Sequence, residues 1–234
     1  MKKPDFSKFE KKLGIKFNDL NLLKEAFVHR SYLNENPDWK LNHNERLEFL
    51  GDAVLELIAS QYLFEKYPSW NEGLLTSLRA ALVNADHLSL VAKNLGLEEF
   101  LLLSKGEAKD TGRGHSYLLA NTLEALIGAL YLDQGKEIAE NFIKRYILFD
   151  IEQIVNQQSF KDAKSHLQEI SQEKYGLTPI YKVIDSWGPD HNKHFISGVY
   201  LGDTLLAKGE GDSKQSSEQA AAQEALNLDE FKEQ

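Results

Sequence analysis

Apolar residues recur three and four positions apart through the first two-thirds of the chain: Leu47, Leu50, Val54, Leu57 and Ile58, then Leu82, Leu88, Leu90, Val91 and Leu95. A period near 3.6 marks helices that bury one side. Thr76 is expected to start a helix after the turn-like Asn71–Gly73, Asp86 to cap the next one and Gly96 to end it. Further helices are expected from about Leu118 to Leu132, stopping near Gly135, and from about Lys136 to Asn156. No strand pattern precedes residue 175. The character then changes. Ala163–Tyr175 reads as an amphipathic helix, and Ile180–Trp187, His194–Tyr200 and Thr204–Glu210 read as short strands. GPDHNK and LGD supply the turns between them, and an alanine-rich helix runs from about Ser216 to Leu226. The pattern predicts an all-α N-terminal domain over residues 1–156, a polar linker at 157–162 and a small α-β-β-β-α domain over 163–230.

The 234 residues leave room for one or two domains. The absence of cysteine removes disulfides, thiolate nucleophiles and cysteine-containing zinc sites. The longest apolar runs, Phe100–Leu103 and Ala125–Leu132, are far shorter than a membrane span requires. The charged N-terminus has no apolar core behind it, unlike a signal peptide. A cytoplasmic protein with no membrane partner is expected. The net charge is −9, which argues against a nucleic-acid partner on bulk charge alone, because phosphate is normally met by lysine and arginine. Any such partner must be recognised by local features.

The segment NERLEFLGDAVLEL carries the strongest chemical signal. Glu48 and Asp52 are four apart and share a helix face amid Leu47, Phe49, Leu50, Ala53, Val54 and Leu55. In LLANTLEALIGALYLD, Asn121 and Glu124 are three apart in a similarly apolar stretch. Carboxylates in apolar surroundings are costly unless something neutralises them. Two such helices could present oxygen ligands to a hard cation, Mg²⁺ or Mn²⁺, and the chemistry implied is metal-assisted hydrolysis of a phosphate ester. The other reading, that both pairs are solvated helix faces, is open on spacing alone. None of the seven histidines follows a glutamate at the spacing used by di-iron bundles.

At these residues the chain resembles the bacterial ribonuclease III family. NERLEFLGDAVL at 44–55 matches the family signature almost letter for letter, and HRSY at 29–32, NEGLLTSLRAALV at 71–83 and NTLEALIGALYLD at 121–133 match further family motifs. The resemblance covers nearly the whole chain, and its C-terminal part is similar to a double-stranded RNA-binding domain. It implies a homodimeric, Mg²⁺-dependent endoribonuclease that cuts both strands of double-stranded RNA to 5′-phosphate and 3′-hydroxyl ends, with duties in ribosomal RNA and structured-transcript processing. Mn²⁺ would serve as a substitute. By motif position, Asp52 and Glu124 are implied as catalytic, and Glu48, Asn121 and Glu124 as metal ligands. Glu45 and Glu72 are implied as auxiliary acidic residues near the scissile phosphates, and Phe49 as packing across the dimer interface. The family usually has aspartate at the position of Asn121. An amide keeps one ligand oxygen but loses the charge, so weaker metal affinity is expected.

The C-terminal half is itself acidic, with net charge −5 from Lys161 to Gln234. Three places resemble the family's RNA contacts. Gln168 and Glu169 would meet 2′-hydroxyls in the minor groove. His191, in GPDHNKH, would reach the next minor groove. Lys214, at the start of the last helix, would face phosphates. The family has more basic residues where this chain has Gln215 and Ser216. Lys105, Lys109 and Arg113 share a glycine-containing loop, read either as solvated or as touching RNA backbone. His29 is expected to be structural, and Trp39, Trp70 and Trp187 are expected to pack. Two other readings are a double-stranded RNA-binding protein without activity, should Asn121 disable the metal site, and an all-helical nucleotide hydrolase. The latter would not need the C-terminal module.

Overall fold

The computed structural model describes residues 4–109, 112–156, 163–189 and 193–231. The chain divides into two compact units, Met1–Phe160 and Lys161–Gln234. Residues 157–162, the expected linker, lie outside the described residues.

The first unit is helical: α1 (Phe6–Leu13), α2 (Leu20–Ala26), α3 (Arg30–Glu35), α4 (Glu45–Lys66), α5 (Glu72–Val83), α6 (Ala85–Asn94), α7 (Arg113–Tyr146) and α8 (Ile151–Asn156). Short polar side chains set the starts. Asn71 Oδ1 accepts the Leu74 N–H at 2.9 Å, so α5 begins at Glu72 rather than Thr76: the stretch read as a turn is a cap and a first helical turn. Asn84, not Asp86, caps α6 through the His87 N–H at 2.9 Å. Asp86 instead lies in the first turn, where a negative charge suits the helix dipole. His29 is structural as expected, with Nδ1 2.8 Å from Ser31 Oγ at the start of α3.

Long α7 bends at Gly135, whose φ of 82° lies in the left-handed region. The expected helix from Lys136 to Asn156 breaks after Tyr146. The chain turns through buried Ile147 and Leu148 before α8, and His87 Nε2 lies 3.1 Å from the Ile147 carbonyl oxygen. A parallel bridge between Val28 and Leu102 is an isolated strand-like pairing. Phe6, Phe9, Phe27 and Phe100 form one aromatic cluster, with centroids 5.0–6.0 Å apart. Asp133 on α7 accepts the N–H groups of Asn18 and Asp19 at 2.8 and 2.7 Å, pinning the entry to α2.

At the centre, α4 lies directly on α7. Both helices carry a glycine at the crossing, and both glycines are buried. A Cβ on Gly51 would overlap the Glu124 carbonyl and stand 2.9 Å from the Gly128 amide nitrogen. One on Gly128 would overlap the Leu47 carbonyl. The two backbones therefore touch with no side chain between them.

The second unit contains α9 (Ala163–Tyr175), β1 (Ile180–Trp187), β2 (His194–Leu201), β3 (Thr204–Gly211) and α10 (Lys214–Leu226). The strands form an antiparallel meander in the order β1-β2-β3. Leu167, Ile170, Val199, Ala221, Ala222, Ala225 and Phe231 make its core. α10 starts at Lys214, earlier than its periodicity suggests, because Ser213 and Ser216 form a reciprocal capping box. Trp39 and Trp70 pack as expected, against Tyr32 and Tyr67 at 5.4 and 4.3 Å. Trp187 does not join the core: it is 46 % exposed and stacks on His194, with ring centroids 5.7 Å apart.

Replacing Gly51 by alanine should push the two central helices apart and cost about 2–3 kcal/mol. A urea-unfolding midpoint unchanged from the parent would contradict the backbone contact.

Candidate functional site

The glycine contact decides which side chains meet. Glu48 precedes Gly51 by three residues and Asp52 follows it by one, while Asn121 and Glu124 lie one to two turns before Gly128. Bringing Gly51 onto the Glu124 backbone therefore gathers these four side chains at one edge of the crossing. Their electrostatics shows it. Burial raises the Glu124 carboxyl, and the charges of Asp52 and Glu48 raise it further, to about 7. Burial also raises Glu48, helped by Glu45 and Asp52, while a hydrogen bond from Asn121 opposes the rise. Asp52 is raised by burial and by Glu56. Three acids each resist ionisation, Asn121 acts as hydrogen-bond donor to Glu48 alone, and among the described residues no lysine or arginine charge acts on any of the three.

All donors here are oxygens on short, helix-borne side chains, the set that a hard divalent cation takes. A cation would also relieve the repulsion that raises Glu124, so the residues fit Mg²⁺ or Mn²⁺. Among the described residues, no three acidic or histidine side chains stand close enough together to hold a metal ion by themselves.

The auxiliary acids are placed differently. Glu45 is on the rim, 3.8 Å from Arg30 and 3.7 Å from His43, and its charge is felt by Glu48. Glu72 opens α5, is exposed, and accepts the Thr76 hydroxyl at 3.2 Å. Its charge is not among those acting on Glu48, Asp52 or Glu124. Sequence reasoning passed over Arg30, a guanidinium at the rim. It lies in HRSY, a segment whose family match and histidine carry no sign of a contact with Glu45. Arg30 and His29 also line a hollow of about 580 Å³ with Ser31, Asn34, Glu107 and Leu118.

Phe49 points away from the core and is 81 % exposed. Leu57 and Phe64 continue the same side of α4 and are also open to solvent. In the second unit, Gln168 and Glu169 sit on the outer side of α9, next to buried Leu167 and Ile170. Gln168 shares a polar cleft of about 250 Å³ with Lys164, Ser165, Gln215 and Gln219, and Lys214 is exposed at the first turn of α10. His191 lies outside the described residues. The Lys105 amide donates to the Glu35 carboxylate at 3.2 Å, which ties that loop to α3. No helix among the described residues is long and apolar enough to cross a membrane.

Comparison with known proteins agrees with this geometry. Residues 19–151 match the ribonuclease-III-like family, and residues 163–228 match the double-stranded RNA binding motif. A protein named Ribonuclease 3 from Leptospira interrogans is 46 % identical over 220 residues, covering 94 % of this chain and 89 % of its own. One of the same name from Bacillus cereus is 47 % identical over 224 residues, covering 94 % and 90 %. Among solved structures, the nuclease domain of ribonuclease III from Campylobacter jejuni, described as having structural flexibility in a region involved in dimer formation, is 41 % identical. It covers 61 % of this chain and 96 % of its own, with a TM-score of 0.54. The expected fold, a helical nuclease domain followed by a three-stranded double-stranded RNA-binding domain, is the one observed. The chain belongs to the ribonuclease III family and is an endoribonuclease of that family.

Proposed function

We propose that this enzyme is a homodimer that uses Mg²⁺, or Mn²⁺ in its place, to hydrolyse both strands of double-stranded RNA to 5′-phosphate and 3′-hydroxyl ends. Its substrates in this reading are ribosomal RNA precursors and structured messenger transcripts in the cytoplasm. The observation that carries the reading is the gathering of Glu48, Asp52, Asn121 and Glu124 around the Gly51–Gly128 contact, with Glu124 raised to about 7.

Glu48, Asn121 and Glu124 would hold the cation. When bound, it makes water a better nucleophile at neutral pH and stabilises the leaving oxygen. Asp52 and Glu124 are assigned the catalytic work. Without the cation the Glu124 carboxyl is raised to about 7, so it would give up its proton as the cation binds. Asn121 donates its amide to Glu48 and so orients that carboxylate, at the cost of one ligand charge. Glu45 and Glu72 would stand along the approach to the scissile phosphates. Gln168, Glu169, His191 and Lys214 would engage the duplex by its shape, through minor-groove and phosphate contacts. Phe49, with Leu57 and Phe64, leaves an apolar stripe of α4 open to solvent, which supports its assignment to the subunit interface.

Cleavage of a long RNA duplex across a Mg²⁺ titration, with product-end analysis, tests the active site. Glu124→Gln should slow cutting by about 100-fold or more while duplex binding persists. Asn121→Asp should lower the Mg²⁺ needed for half-maximal rate. Glu124→Gln cutting at the parental rate would overturn the assignment, and a parent protein that binds duplex without cutting it would favour a purely RNA-binding role. The same variant has a stability signature. The folded-state pKa of Glu124 lies above its ordinary value of 4.5, so the folded state holds the proton more tightly. Without metal, the parent should lose stability as pH rises from about 4.5 through 7. Glu124→Gln should then be more stable than the parent by about 1–2 kcal/mol at pH 8, allowing for solvent screening, and equal to it at pH 4. Thermal melts in chelator read the difference.

The interface has its own test. Phe49→Asp should convert the dimer to monomers by sedimentation velocity. A dimer that persists would move the interface elsewhere.

A further inference from the structure

The sheet of the second unit has two unlike faces. One carries Ser197 and Val199 against α9 and α10, where Ser197 Oγ lies 2.7 Å from Ser217 Oγ. The other bears no helix among the described residues of this unit, yet it carries apolar side chains. Ile180 (51 % exposed), Ile184, Trp187 and Leu205 are all open to solvent. Ile184, Leu205 and Tyr200 crowd over Gly198, where a Cβ would stand 2.7, 2.8 and 3.1 Å from them. An apolar sheet face with no cover calls for a partner.

The strand register arranges this open face in rows. Residues directly opposite in an antiparallel pair project to the same side. Ile180, Tyr200 and Leu205 form an apolar row. Next come Lys182, Gly198 and Lys208, a basic row in which Lys182 Nζ sits 5.0 Å from the Tyr200 ring centroid. Then come Asp185, Ile196 and Glu210, an acidic row. Last is the stacked pair of Trp187 and His194, with His194 Nδ1 2.9 Å from Asp212 Oδ1. Neighbouring rows along a strand are about 7 Å apart.

This order is self-complementary. A two-fold axis lying across the strands at the level of Ser197, between the basic and acidic rows, sets each row against its opposite on a second copy. Lys182 then faces Asp185, Lys208 faces Glu210, and the row of Ile180, Tyr200 and Leu205 faces Trp187 and His194. Isologous contacts require such a pattern, in which one surface is its own partner. Face-to-face sheets pack about 10 Å apart, a separation that lysine and carboxylate side chains span. We propose that the open sheet face of the RNA-binding unit docks against the same face of a second copy of this chain. The contact is separate from the α4 stripe assigned to the nuclease dimer.

The chain has no cysteine, so engineered thiols report without background. Full-length Lys182→Cys and Asp185→Cys proteins are mixed and treated with a short bismaleimide cross-linker, without RNA, and read on a denaturing gel; backbones about 10 Å apart are too far for a direct disulfide. The mixture should form covalent dimers several times faster than either variant alone, because each thiol faces the other's position rather than its own. Raising the salt should slow the trapping, since the rows attract by charge. Adding Lys208→Glu to both proteins should suppress trapping, because a carboxylate then meets the carboxylate of Glu210 on the second copy. Adding Glu210→Lys as well should restore it. Equal rates in the mixture and the single variants would overturn the proposal, and so would trapping indifferent to Lys208→Glu. Either result would assign the face to a partner of other chemistry or to none.

Discussion

Two helix backbones in contact at Gly51 and Gly128 set the terms for the nuclease unit. Any larger residue at either position would lift α4 from α7, and the oxygen ligands on the two helices would separate with it. The contact also has an electrostatic cost. It draws Glu48, Asp52 and Glu124 together at the edge of an apolar core, where burial and mutual repulsion raise all three. The fold tolerates this because the surrounding packing is extensive. Leu47, Val54, Leu55 and Ile58 on α4 and Leu123, Leu126, Ile127 and Leu130 on α7 are buried around it. In the proposed reading a cation would relieve this repulsion, so that packing energy would be converted into metal affinity.

Asn121 moderates that conflict. A fourth carboxylate would add a further repulsion, whereas the amide of Asn121 favours the charged form of Glu48. The second unit solves a different problem, contact with a polyanion by a domain of net charge −5. Its exposed polar groups on α9 and at the start of α10 are mostly amides and hydroxyls rather than cations, in keeping with reading duplex RNA by groove shape. Two of its lysines, Lys182 and Lys208, stand on the open sheet face, away from α9 and α10. This deepens the contrast between that face and the helical one.

Much of this was legible in the sequence. The 3.6-residue period of the first unit, the switch to short alternating runs after residue 175 and the acids at helical spacing in apolar stretches all reflect local rules that the fold obeys. Boundaries were less legible, because capping depends on which of several nearby polar residues turns inward. Asn71, Asn84 and Ser213 did so, ahead of the sites inferred from periodicity. The glycines of FLGD and LIGA were in plain view, but their role is a property of two helices together and no single-segment pattern encodes it. Arg30 meets Glu45 across fifteen residues of chain, and the row order on the sheet needs the register, including its shift between Val183 and Asp185. The register also explains why Trp187 packs on His194 at the surface rather than in the core: its strand position puts it on the uncovered side.

The most direct test of the central claim is crystallographic. Crystals of the full chain soaked in Mn²⁺ and measured at the manganese edge should show an anomalous peak between α4 and α7, within coordinating reach of both Glu48 and Glu124. A chain in which the ion binds elsewhere, or in which those two carboxylates stand too far apart to share it, would contradict the account.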